Sequence, residues 1–257
     1  MPDQTSPPSS RIAKACRVGC TAITIVVVET AVCGLAALSP IAAWSLLDLQ
    51  TLTRPVRVAL YSVLAVPSYV AFALGLMIFS PLATWLTRAR TRPDVELRLA
   101  DCDWPVLSWV RYVVAIHIVR LLAGSLFRGS PIWTGYLRLN GARMGRRVYV
   151  NTLSISDHNL LEFGDDVVIG GDVHLSGHII ESGMLKTAPV RLGRGVTVGL
   201  GSVIHIGVTA EAQCQIGALS LVPKHRRLES GGIYVGVPVR RLGTPLNDLA
   251  SDDVMTR

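Results

Sequence analysis

The stretch LGRGVTVGLGSVIHIGVTAEAQCQIGALSLV, residues 192–222, decides how this chain is read. Aliphatic residues recur in it every six positions, at Leu192, Val198, Ile204, Ala210, Ile216 and Val222. Gly193, Gly199 and Gly217 follow three of them, and small or β-branched residues stand four positions on, at Val196, Ser202, Val208, Cys214 and Ser220. Neither the helical period nor the two-residue alternation of a strand produces six over such a run. Short strands joined by tight turns do. One aliphatic side chain per strand points into a narrow prism, and glycine lets successive coils approach closely. The stacked coils then form three parallel sheets, a β-solenoid.

The same pattern opens upstream at Met144 and Val150 and resumes at Phe163, Ile169 and Leu175. Eleven hexapeptides, about four turns, are predicted, with departure from the pattern at Arg226. The spacings Val150 to Phe163 and Leu175 to Leu192 are not multiples of six, so loops are expected to leave the prism there. Excursions from a rigid scaffold are where functional residues concentrate.

These residues resemble the hexapeptide-repeat acyltransferases, and Val235-Gly236-Val237-Pro238-Val239-Arg240 resembles the G-x-P-A-[KR] segment that closes such domains, with Val239 in place of Ala. The resemblance covers about residues 140–243 and implies a left-handed parallel β-helix, a homotrimer and a thioester donor. A narrower likeness runs through Gly164–Ile169, His178–Glu181, Met184–Lys186, Pro189–Gly193 and Ile216–Val222. Those segments are similar to the terminal domain of nonribosomal peptide synthetases of the poly-lysine synthetase type. In that family the domain also carries membrane helices and is taken to join amino acids from a carrier-bound thioester to an amine. The expectation here is a standalone version, with a carrier protein or peptide synthetase as partner.

The N-terminal half has another character. Residues 18–47 are apolar apart from Glu29, and residues 58–86 hold no charge, so each run exceeds the roughly 20 residues that cross a bilayer. The prediction is a transmembrane hairpin over 18–90, between a tail at 1–17 and the solenoid. Arg11, Lys14, Arg17, Arg88, Arg90, Arg92 and Arg98 flank the outer ends, against Arg54 and Arg57 in the connection. That bias puts both termini and the solenoid in the cytoplasm. Within 100–130, Arg111, His117 and Arg120 interrupt a third apolar run, which predicts an amphipathic helix lying in the membrane interface. A polar tail is expected over 244–257. Half of the 257 residues are apolar, 17% are charged and the mean hydropathy is +0.43, which excludes a disordered regulator. The +7 net charge clusters without interleaved aromatics, so no nucleic-acid role is expected. The five cysteines have no zinc-type spacing.

Acyl transfer needs a base for the incoming nucleophile and donors for the tetrahedral oxyanion. His178 is the expected base, oriented by Glu181 or Asp157, with His158 as a second candidate in the first excursion. Backbone N–H groups at Gly183 or Gly177 are candidate oxyanion donors. Lys186, Arg191 and Arg194 are candidates for the phosphates of acyl-CoA or a phosphopantetheine arm. From Val148 to Leu185 there are six acids and no Lys or Arg, which predicts an acidic cleft for a cationic amine acceptor. Three alternatives stand beside this reading. One is an acetyl-CoA-dependent O-acetyltransferase of a membrane-linked sugar. Another is a non-catalytic trimerising scaffold on the membrane. The third is a metal site built from His174, His178 and His205, since γ-type carbonic anhydrases share the implied fold; the spacing departs from theirs, and no metal is expected.

Overall fold

The computed structural model describes residues 8–47 and 51–243; the polar tail at 244–257 and the first part of the tail at 1–17 lie outside them. Two long helices come first, α1 (Pro8–Leu46) and α2 (Arg54–Leu86). Thr53 and a proline in the first turn start α2, a position where the missing N–H has no partner to lose. The two helices pack together. A Cβ on Gly75 would lie 2.9 Å from Ala36 Cα, so the backbones touch there because Gly75 has no side chain. Trp44 Nε1 donates to Ser68 Oγ at 2.8 Å and its ring lies 5.1 Å from that of Tyr61. Both helices are long and apolar enough to cross a membrane, and so is the helical stretch Trp104–Phe127.

That third stretch begins as α3 (Trp104–Val119), passes through a π-turn over Arg120–Gly124 and ends at Phe127. Arg17 near the start of α1 reaches Asp103 at its start, 3.2 Å away. One α3 stripe, Trp109, Val113, Ile116, His117 and Arg120, lies against the solenoid side of the molecule and lines a cleft with it. His117, which is exposed, and half-buried Arg120 therefore share a stripe with apolar residues at this cleft, and Arg111 is not in its lining. Glu29 of α1 and Arg111 of α3 line one small cavity with Thr84 of α2.

The solenoid follows the six-residue period. Met144, Phe163, Leu192, Ala210 and Leu228 occupy one sheet, and Val150, Ile169, Val198, Ile216 and Tyr234 a second. Leu175, Ile204 and Val222 form the third. All pairings between turns are parallel; after the hairpin they link residues three hexapeptides apart, such as Thr197 with Gln215, while those that cross a gap span more of the chain, such as Val203 with His174. Except for Met144, these inward side chains are buried. The first sheet has five strands and the third, counting the bridge at Ile155, four positions, so there are four complete turns and part of a fifth. The period continues past Arg226, with Leu228 and Tyr234 in place, and Val239 closes the end by donating its N–H to Leu221 O.

The first gap is not a full excursion. Ile155 bridges to Leu175 and supplies the missing position in the third sheet, and only Ser156–Leu160 departs, through a short 3-10 turn. The second gap does leave the prism. His178–Glu181 and Met184–Thr187 form an antiparallel hairpin, joined by Glu96–Arg98 from the segment after α2.

Glycine where coils meet can be tested directly. A Cβ on Gly199 would lie 2.4 Å from Ala218 N and 2.7 Å from Gly217 C, with no flexible atom to yield. Gly199→Ala is expected to lower unfolding stability by about 2 kcal/mol in denaturant titration. Gly135→Ala, in a helix with nothing within 4 Å of the added methyl, should raise it by about 0.5–1 kcal/mol.

Candidate active site

Two departures from the period meet at one point. Asp157, in the left-handed region at φ 51°, opens the 3-10 turn and is fully buried; His178 opens the hairpin strand. His178 Nδ1 and Asp157 Oδ2 lie 2.5 Å apart. Gly177 permits this approach, since a Cβ there would lie 2.9 Å from Leu160 and 3.0 Å from Asp157 Cβ. The other carboxylate oxygen, Oδ1, accepts from Thr91 Oγ1 at 2.7 Å, and Ser176 Oγ stands 3.5 Å from Oδ2. Burial raises the Asp157 carboxyl, but hydrogen bonds and charge from His178, with bonds from Thr91 and Ser156, outweigh it and hold the group below its ordinary value. The carboxylate fixes the ring with Nδ1 inward, which leaves Nε2 as the nitrogen available to a substrate.

Around His178 is a cleft of about 490 Å³ with two walls. The α3 stripe forms one, and Ile155, Ser156, His174, Ser176, Ile179 and Ile180 contribute to the other. The Trp109 ring stands edge-on to His178 with centroids 5.0 Å apart. Arg120 contacts His117 through its guanidinium and lies 3.5 Å from Leu153 O. Burial lowers the pKa of His174, with help from the charges of His178 and Arg120.

Of the expected site residues, the structure joins His178 with Asp157 and separates the rest. Glu181 lies at the far end of the hairpin strand, 2.5 Å from Lys224 and 4.0 Å from Lys186, so of the two expected carboxylates only Asp157 meets the His178 ring. His158 is fully buried, both ring nitrogens lack a hydrogen bond, and its ring stands edge-on to Tyr136. Burial pushes its pKa down to about 4, so it is a neutral core residue and no proton carrier for the cleft. Lys186 pairs with Glu96, Arg191 pairs with Glu162, and neither these nor Arg194 lines the cleft. Gly183 sits in the hairpin turn, its carbonyl bonded to Leu99 N, and is no oxyanion donor to His178.

The acidic lining does not form. Glu162, Asp166, Asp172 and Glu181 pair with Arg143, Arg147, Arg128 and Lys224; Asp165 caps the backbone of Arg146; Asp157 holds His178. Trp109, His117 and Arg120 in the cleft wall and Thr91 against Asp157 are residues of the candidate site that reasoning from the repeat missed. The spacing of Trp109, Val113, Ile116 and Arg120 along one helix face was the available signal. Among the described residues no group of three or more His, Cys, Asp or Glu side chains is placed to hold a metal.

No family profile matches the chain. It is 24% identical over 181 residues to a delta-poly-L-ornithine synthetase of Acinetobacter baumannii, covering 70% of this chain and 14% of that protein. It is 34% identical over 118 residues to galactoside O-acetyltransferase of Escherichia coli, covering 43% of this chain and 56% of that one. The crystal structure of a maltose O-acetyltransferase from Clostridium difficile aligns with a TM-score of 0.39 at 18% identity, over 52% of this chain and 86% of that one.

The buried histidine gives a pH test. An unfolded His158 takes up a proton below about pH 6.5, whereas the folded residue does so only near pH 4. Stability is therefore highest above pH 6.5 and falls as pH drops through that window, by roughly 3 kcal/mol from this residue. Exposed His174 and half-buried His205 act in the same direction, and Asp157 adds its own loss below about pH 3.8. Thermal unfolding across pH should show the decline, and His158→Leu should flatten it. By its sequence relatives and its repeat, the chain is related to the acyltransferases of the hexapeptide-repeat type.

Proposed function

We propose that the protein is a membrane-anchored acyltransferase that moves an acyl or aminoacyl group from a thioester to an amine, with His178 as general base and Asp157 as its orienting carboxylate. The observation that carries this reading is the bond between His178 Nδ1 and buried Asp157, in a cleft one wall of which is an apolar helix. In the forward step His178 Nε2 takes the proton from the neutral attacking nitrogen as it adds to the thioester carbonyl. Arg120 is the charged donor in the cleft for the resulting oxyanion. Collapse expels the thiolate, which recovers the proton from the imidazolium. Proton transfer of this kind contributes roughly 10²–10⁴-fold.

An amide product is favoured by the reach of the likeness to the poly-ornithine synthetase. Its 181 matched residues exceed everything from Asn140 to the end of the chain, so they extend into the helical half. Transfer of an acetyl group from acetyl-CoA to a sugar hydroxyl is the second reading, supported by the likeness to galactoside O-acetyltransferase; the same histidine would serve. A left-handed coil and a homotrimer belong to both readings through the family resemblance. The acceptor is read as the uncharged amine, because the charged groups of the cleft are basic rather than acidic.

The membrane reading rests on α1 and α2 as spans, with Arg17 tied to Asp103 so that the start of α1 and the segment after α2 lie together. Both flanks then lie on the side that the Lys and Arg bias assigns to the cytoplasm.

Mass spectrometry of metabolites from cells making the intact protein or His178→Ala tests the chemistry. Loss of an amino-acid oligomer or acylated amine in the variant is the expected result; loss of an acetylated sugar instead would select the second reading, and an unchanged profile would remove His178 from the mechanism. Carbonate-washed membranes should retain the protein, and its release would overturn the membrane-spanning assignment.

A further inference from the structure

A second cleft lies on the far side of Asp157. It has a volume of about 450 Å³, and Trp85, Arg90, Arg92, Leu139, Arg143 and Asn159 are among its lining. It shares no lining residue with the His178 cleft, although Thr91, which bonds Asp157, lies in its wall. Its lining holds three arginines and one carboxylate, Glu162, which is already paired with both Arg143 and Arg191. Arg90 and Arg92 form no side-chain hydrogen bond or ion pair among the described residues. Isolated surface arginines are ordinarily solvated; these two converge with Arg143 on one concavity.

The surroundings indicate what anion fits. Trp85 stands in the last turn of α2, and Trp85 and Leu139, both in the lining, are 61% and 62% exposed. An aromatic ring beside arginines at the end of an apolar helix is the arrangement that meets lipid headgroups. Asn159 spends its Nδ2 on Thr91 O at 2.8 Å, while its Oδ1 is buried and accepts no hydrogen bond.

We propose that this cleft binds the headgroup of an anionic phospholipid of the phosphatidylglycerol kind, with Arg90 and Arg92 on the phosphate. The proposal rests on the membrane reading of α1 and α2. The site places a membrane anion on the two residues that flank Thr91, and so on the segment that holds the carboxylate of the catalytic pair.

Native mass spectrometry of the full chain in detergent, titrated with phosphatidylglycerol or phosphatidylcholine, tests it. The wild type should retain phosphatidylglycerol preferentially, and Arg90→Gln/Arg92→Gln should lower its affinity about 30-fold. Arg90→Lys/Arg92→Lys should keep most of the binding, and Arg11→Gln/Lys14→Gln, which removes equal charge from the other membrane flank, should leave it unchanged. Equal retention of the two lipids, or undiminished binding by the Gln variant with wild-type thermal stability, would overturn the proposal. Displacement of the lipid by excess inorganic phosphate would reassign the cleft to a soluble phosphate and overturn the lipid commitment. If washed membranes keep the protein yet no lipid preference is found, this proposal fails alone; release from those membranes fails the membrane reading itself.

Discussion

A carboxylate with no access to water needs a partner for each of its oxygens, and Asp157 recruits them from two distant parts of the chain. Thr91 comes from the segment that follows α2, and Ser176 and His178 from the point where the hairpin leaves the second turn of the solenoid. Burying an unpaired charge would cost several kcal/mol, so these contacts are made together or the turn at 157 does not hold. The requirement ties the helical half to the solenoid at the point where the chemistry is assigned. It also sets the tautomer of His178, because a ring nitrogen facing a carboxylate must carry the proton.

The fold was largely legible because a prism has room for one aliphatic side chain per face, which makes six a hard period. Ile155 hid from that reading: it stands five residues after Val150 rather than six, yet bridges to Leu175 and fills the same place. Leu228 and Tyr234 kept the period, but the hexapeptides counted from the sequence stopped at Val222, because Arg226 departs from the small-residue position that follows it. Of the site, the His178–Asp157 pair was legible as two titratable residues at two breaks in one repeat. The second wall was not, since packing of α3 on the solenoid is a tertiary fact that no local period encodes.

The acidic run misled for a reason built into solenoids. Residues adjacent in space lie a full turn apart in sequence, so a stretch with no Lys or Arg can still be neutralised from the neighbouring coil. Asp166 meets Arg147, Asp165 meets the Arg146 backbone and Glu162 meets Arg143 in this way. His158 misled similarly: beside Asp157 in sequence, it points into the core against Tyr136, where burial keeps it neutral. In both cases the side of the prism, rather than proximity along the chain, decides what a charged or titratable group meets.

The account turns on Asp157 and His178 acting as one unit, with the carboxylate working only through the ring. A double-mutant cycle on acyl-transfer turnover measures this directly. If the account holds, Asp157→Asn lowers turnover in the wild-type background but has little further effect once His178→Ala is present. Equal fold-losses from Asp157→Asn in both backgrounds would show two independent residues and contradict it.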